Sequence, residues 1–157
     1  MAKIELWNQL QSCLQTELEQ AERAARDAAD YATNDEAKAK SKYDTQGLEA
    51  SYLAAGQAKK VGELRDALAK IHSLRPEMEN THIAVREGSY ITLLNGIETD
   101  HYFIVPAGGG ETLKTDASDE VWTLTPQSPL GRMLIGKLTG SPIRMPNGAQ
   151  ASINSVE

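Results

Sequence analysis

TNDEAKAKSKYDTQG, residues 33–47, interleaves three carboxylates, Asp35, Glu36 and Asp44, with three lysines, Lys38, Lys40 and Lys42. It is polar throughout, and long helical patterns lie on both sides. Before it, Leu6, Leu10, Leu14, Leu18, Ala21, Ala25, Ala28 and Ala32 recur at steps of four and three, which places them in one helical stripe. After it, a second stripe runs through Gly47, Ala50 or Ser51, Ala54, Ala58, Val61, Leu64, Leu68 and Ile71. That stripe ends before Arg75-Pro76, because the residue preceding proline disfavours helix. Two helices of comparable length joined by a polar turn predict an antiparallel hairpin over residues 1–75, with its tip at 33–47.

The stripes also predict a shape. In an antiparallel register, Ala21 to Ala32 should lie beside Ala50 to Ala58, and Leu10 to Leu18 beside Val61 to Ile71. Leucines then fill the base, while alanines let the backbones approach towards the tip. An arm of ~28 residues measures roughly 42 Å at about 1.5 Å per residue, so the charged tip is expected far from the rest of the chain. The competing expectation, a hairpin folded back on its own domain, calls for a broader and bulkier apolar face.

Residues 76–80, PEMEN, form the boundary. Beyond them the pattern becomes strand-like at residues 82–85, 89–94, 101–105 and 121–125, with Asn95-Gly96 as a hairpin turn signal. The acidic run 116–120 and the final stretch 150–156 complete an expected sheet of five or six short strands. One helix interrupts it, in QSPLGRMLIGK, residues 127–137. Ser128 suits an N-cap, Pro129 the first turn, and Gly136 a left-handed stop. Leu130, Met133 and Leu134 are expected on one face and Arg132 on another. The helix serves either to plug the sheet or to present a binding surface. The fold class is α+β: a helical coiled-coil hairpin, then a small β-rich domain over residues 76–157.

Composition bounds the function. The 157 residues are 40% hydrophobic and 24% charged, which fits folded, soluble protein. The single cysteine, Cys13, excludes an intramolecular disulfide, and neither a membrane span nor a secretory signal is visible, so the cytoplasm is the expected location. Residues 1–75 hold 11 Lys and Arg against 12 Asp and Glu; residues 76–157 hold 5 against 10. Neither half has the basic excess that duplex DNA binding needs, so a protein partner is expected.

Nor does the sequence present a self-contained active site. Gly108-Gly109-Gly110 lacks the following Lys-Ser or Lys-Thr of a phosphate loop and reads as a turn. His72, His82 and His101 are scattered, without carboxylate or cysteine neighbours at ligand spacing. Ser128 has no visible base and is explained by capping.

The segment TPQSPLGRMLIGK, residues 125–137, resembles the signature of the Gre family of bacterial transcription elongation factors, in which a Ser-Pro-apolar-small-Arg run precedes Leu-Ile-Gly-Lys. Residues 85–94 resemble the family as well, as does the order of hairpin and β domain, and KYDTQGLEASYLA, residues 42–54, is similar to the distal coiled coil of a Gre-like subgroup. The resemblance covers nearly the whole chain and implies an FKBP-like shape for the second domain.

It also implies a mechanism. Gre factors dock the globular domain on the rim of RNA polymerase's secondary channel and pass the coiled coil through to the active centre. Acidic tip residues there help hold a second Mg2+ that activates water to cut backtracked RNA. The factor needs to contribute little, because Mg2+ takes one or two carboxylates alongside water, and a two-metal site stabilises both reacting oxygens. Carried over, the resemblance assigns Asp35, Glu36 and Asp44 as tip carboxylates acting in trans. Asp35 and Glu36 would share Mg2+ with the polymerase, and Ser128, Pro129, Leu130 and Arg132 would contact the partner. Such a chain is a monomeric cofactor of the polymerase, not an enzyme, and touches the RNA 3′ end indirectly. The pattern departs from the family at the tip: cleaving members place a glutamate three positions after an aspartate, whereas Asp35 and Glu36 are adjacent. The alternatives are a Gre-like channel binder without cleavage activity and a homodimeric coiled-coil adaptor joined through the alanine stripe. A prolyl isomerase is a further possibility, but it needs an aromatic-lined pocket, for which five tyrosines, two tryptophans and one phenylalanine in the whole chain supply little material.

Overall fold

The computed structural model describes residues 2–38 and 45–157, with side chains for 3–31 and 48–157. Two long helices, α1 (Ala2–Lys38) and α2 (Thr45–Ser73), come first. A 3-10 turn (Arg75–Glu79) follows, opened by Pro76. The remainder is a six-stranded sheet with one short helix: β1 (Tyr90–Asn95), β2 (Glu98–Ile104), β3 (Thr112–Lys114), β4 (Glu120–Leu124), α3 (Pro129–Leu134), β5 (Pro142–Arg144) and β6 (Gln150–Val156). This is the expected α+β arrangement of helix pair and β-rich domain.

By its internal contacts the chain divides into two units, residues 13–68 and residues 1–12 with 69–157. In the first, a seam of buried and half-buried positions runs along α1 at Leu14, Leu18, Ala21, Ala25 and Ala28 and along α2 at Ala50, Ala54, Gln57, Val61 and Leu64. Alternating steps of four and three are the coiled-coil repeat. Arg65 lies 3.8 Å from Glu22, and a shallow hollow is lined by Ala25 and Arg26 from α1 and by Ala58 and Val61 from α2. The helices are therefore antiparallel, but the register differs from expectation. Ala25 stands near Val61, so small residues of α1 meet larger ones of α2, and the exposed Ala58 yields its seam position to Gln57. Helix α1 also continues past residue 33 to Lys38, since Glu, Ala and Lys are good helix formers.

In the second unit the sheet order is β3-β4-β2-β1-β6-β5, antiparallel except for the parallel pair β2/β4. Asn95↔Glu98 closes the β1/β2 hairpin, and Gly96, at φ 68, supplies the left-handed residue that the two-residue turn demands. Alternation along the strands directs Ile91, Leu93, Ile104, Ile143 and Ile153 to a face covered by Leu130 and Leu134 of α3. Phe103, Val121 and Leu113 are buried too, with their side chains on the opposite face. At that edge Gln9 of α1 exchanges two hydrogen bonds with the Lys114 backbone, at 2.6 and 3.0 Å. The Trp7 indole N–H donates to the Ile71 carbonyl at 2.7 Å, joining the first turns of α1 to the last of α2.

Two expected strands are absent. Residues 82–85 contribute a single bridge, Ala84↔Leu138, and the buried His82 among them is engaged through its ring in hydrogen bonds to Glu77 and Ser89. The acidic run forms the β3–β4 turn as far as Asp119, closed by Thr115 N–H to the Asp119 carbonyl at 3.0 Å, and only its last residue, Glu120, enters β4. No helix among the described residues is long and apolar enough to cross a membrane.

Candidate partner-binding site

The segment 125–137 is built around Ser128. Its backbone is extended at φ -66, ψ 157, and its hydroxyl donates to the Thr125 carbonyl at 2.8 Å while accepting from the Gly131 N–H at 3.1 Å. Pro129 then occupies the first turn, where a missing N–H costs nothing. Gly131 is dictated by space: a Cβ there would come 2.0 Å from the Thr125 carbonyl oxygen and 2.7 Å from Ser128 Oγ. At the other end Gly136, at φ 80, donates to the Val85 carbonyl, and Val85 donates back to Lys137.

This construction sorts the segment into anchors and displayed residues. Leu130, 8% exposed, and Leu134 enter the core. Pro129, Arg132 and Met133 face solvent, so Met133 does not share the buried face expected for it. Ile83, Ile135 and Leu138 extend the exposed apolar surface near the Ala84↔Leu138 bridge. Of the four residues assigned to partner contact, Pro129 and Arg132 are available at the surface, Ser128 is half-buried and capping, and Leu130 fills the core.

Beside Ser128 lies a groove of about 530 Å³. Tyr102 and Trp122, neighbours across the parallel β2/β4 pair, line it with Leu124, while Gly109 and Gly110 keep another part of the lining free of side chains. Trp122 leaves 44% of its surface exposed, and burial, with Asp100 in second place, holds the Tyr102 phenol above its ordinary pKa. The aromatic content of the chain is small, yet two of its rings stand together here. Sequence reasoning missed this groove because the strands pair in parallel across 20 residues, from Tyr102 to Trp122, a distance no local pattern spans. The Gly108 to Gly110 run is the expected turn, held by Thr123 Oγ1 donating to the Gly108 carbonyl at 2.6 Å.

At the other candidate site, Asp35 and Glu36 fall within α1, and their side chains lie outside the described set. Asp44 lies outside the described residues. Among the nearest described side chains in sequence, Tyr31 of α1 and Leu48 and Tyr52 of α2 are exposed. Among the described residues, no three His, Cys, Asp or Glu side chains are grouped to hold a metal ion. The histidines have separate partners. His101 Nδ1 is 2.7 Å from the Tyr90 hydroxyl, His72 is tilted against Trp7, and His82 is bridged between Glu77 and Ser89.

No family model matches this chain, and no curated protein sequence matches it. Among solved structures it is similar to GreA factor homolog 1 (Gfh1) of Thermus thermophilus, with 15% identity over 94% of each chain and a TM-score of 0.37. It is also similar to Gfh1 of Thermus aquaticus, with 19% identity over 93% of this chain and 92% of that one and a TM-score of 0.39. A further structure of the transcription factor Gfh1 has 20% identity over 94% of this chain and 92% of its own, with a TM-score of 0.37.

Proposed function

We propose that this chain is a cytoplasmic, monomeric RNA polymerase-binding factor of the Gre type. In this reading the β domain docks on the polymerase through Pro129, Arg132 and the adjacent groove. The helix pair enters the secondary channel, and the tip carboxylates Asp35, Glu36 and Asp44 promote cleavage of backtracked RNA by the polymerase. The observation that carries it is the construction of residues 125–137, the segment that resembles the Gre signature. Buried Leu130 and Leu134 and the Ser128 cap fix the short helix, which leaves Pro129 and Arg132 at the surface, while Ser128 itself lines an open groove that holds Tyr102 and Trp122. A rigid display of one arginine and apolar neighbours is the composition of a protein-binding hot spot.

The metal chemistry would come from an ion shared with the polymerase. Carboxylate oxygens are the hard donors Mg2+ prefers, and one or two from the factor suffice when the partner and water supply the others. Asp35 and Glu36 would hold the ion, and the chain itself is not an enzyme.

A second reading, channel binding without cleavage, is favoured by one observation: Asp35 and Glu36 are consecutive residues within the continuous helix α1, not an aspartate and a glutamate three positions apart on a tight turn. A stalled, backtracked elongation complex separates the two. Short 3′ RNA products that disappear with Asp35→Ala, Glu36→Ala or Asp44→Ala support cleavage through the tip. Binding of wild type without such products supports the second reading. Cleavage indifferent to all three substitutions removes the tip assignment, and polymerase capture unaffected by deleting residues 76–157 removes docking through the β domain.

A further inference from the structure

His82 is buried, and both of its ring nitrogens are engaged. Nε2 is 2.8 Å from Glu77 Oε2, and Nδ1 is 2.7 Å from Ser89 Oγ, which also accepts the Arg86 backbone N–H at 3.0 Å. Acid, imidazole and hydroxyl in a row invite comparison with a catalytic triad, but Ser89 is 0% exposed, so no substrate reaches the hydroxyl. Instead the chain joins two turns of one unit. Glu77 belongs to the 3-10 turn leaving α2, while Ser89 continues into the sheet, where its carbonyl accepts the Ile104 N–H at 2.9 Å. Gly88 permits the close approach: at φ 90, a Cβ there would lie 3.0 Å from the Glu77 Cβ.

Counting hydrogens shows what this arrangement tolerates. The carboxylate selects the tautomer with its hydrogen on Nε2. Nδ1 then accepts the Ser89 hydroxyl hydrogen, and every donor in the chain has an acceptor. A proton added at Nδ1 turns that nitrogen into a donor facing a donor. Ser89 Oγ can accept both N–H groups, but its own hydrogen is then left buried without a partner. We propose that Glu77, His82 and Ser89 form an acid-sensitive latch, in which neutral His82 holds the 3-10 turn to the sheet and protonation of His82 loosens it.

The surrounding charges agree in sign. Burial is the largest influence and lowers the His82 pKa below its ordinary value; Glu77 opposes it, whereas Lys3 of α1 and Arg86 of the turn reinforce it. Arg86 also lies 3.7 Å from Glu77, and Lys3 donates to the Asn80 carbonyl at the end of the 3-10 turn while facing Glu77 and Glu157. An imidazolium would thus be a third cation sharing Glu77. Since the folded state binds this proton less readily than the unfolded chain, the His82 contribution is complete above the ordinary imidazole pKa of about 6.5 and is lost as pH falls from there through the lowered folded value. Glu77, whose pKa is lowered chiefly by its bond to His82, loses its contribution in a more acidic window, below about 4.5.

The test compares thermal unfolding of the full chain with that of His82→Gln, whose amide can donate to Glu77 and accept from Ser89 but cannot be protonated. His72 and His101 are common to both proteins. Between about pH 7.5 and about pH 5.5, the wild type should lose about 2–4 °C of Tm relative to the variant's own change over the same range. An NMR titration of the His82 ring in the wild type, which needs no variant, should give a midpoint below about 6.5. A midpoint at or above that value, or parallel pH profiles for the two proteins, overturns the latch.

Discussion

At Gly131 the missing side chain decides whether the 125–137 segment exists at all. Its Cβ would overlap the Thr125 carbonyl oxygen, which already accepts from the Ser128 hydroxyl and backbone N–H. Gly131→Ala must therefore displace backbone and cap together, and we expect a loss of about 2–3 kcal/mol in urea unfolding. Ser128→Ala, which removes the cap alone, should cost about 1 kcal/mol by the same measurement. Arg132 provides the contrast. It is exposed and no salt bridge is found for it among the described residues, so Arg132→Ala should leave urea stability within about 0.5 kcal/mol of wild type. On the proposed reading, polymerase affinity measured in parallel should nevertheless fall at least about tenfold, the effect of removing a hot-spot arginine. Equal affinity of Arg132→Ala and wild type would remove Arg132 from the docking surface.

At the level of elements, helix α2 carries weaknesses that its neighbours must offset. Gly56 and Gly62 lie within it, each with nothing within 4 Å of where a Cβ would stand. Gly62→Ala should therefore raise stability by about 0.5–1 kcal/mol in urea unfolding, since only backbone entropy changes. Trp7→Phe acts in the other direction: it leaves the Ile71 carbonyl without its indole donor, at an expected cost of about 1–3 kcal/mol. The helices and the longer strands were legible because each repeats its own period over many residues: four and three along Leu14, Leu18 and Ala21, or two along Ile91 and Leu93. The capped helix was legible because Ser128, Pro129 and Gly136 act on their immediate neighbours. What escaped was non-local. The three-residue strands β3 and β5 hold their places by pairing with β4 and β6, and the Tyr102/Trp122 groove arises from a parallel register. Glu77, His82 and Ser89 meet through turns, so their spacing of five and seven residues matches neither helix nor strand.

On the scale of the whole molecule, the two units differ in what they bury. Residues 13–68 enclose Ala21, Ala28 and Ala50 alongside Leu14, Leu18, Val61 and Leu64, whereas the unit containing the sheet encloses Phe103 and the Ile91, Leu93, Ile104, Leu134 and Ile153 cluster. An alanine removes far less apolar area from water than a leucine or isoleucine, so the coiled-coil unit gains less per residue to offset chain entropy. It also contains Gly56 and Gly62 of α2, while the sheet strands hold one another through backbone ladders. Native-state hydrogen exchange should therefore reveal two levels of protection. Amides at 21–31 and 48–60 should exchange through local openings at least about 1 kcal/mol easier than those at 90–94 and 101–104. A single opening free energy across both sets would mean that the chain unfolds as one cooperative body despite its two contact units. The predicted order also bears on the proposed role. If the chain docks on polymerase through the β domain as proposed, the helix pair need not be rigid beforehand, so Gly62→Ala should raise protection at 48–60 while leaving polymerase affinity within about twofold of wild type. A proportional rise in affinity would place the helix pair, and not Pro129 and Arg132, at the main contact.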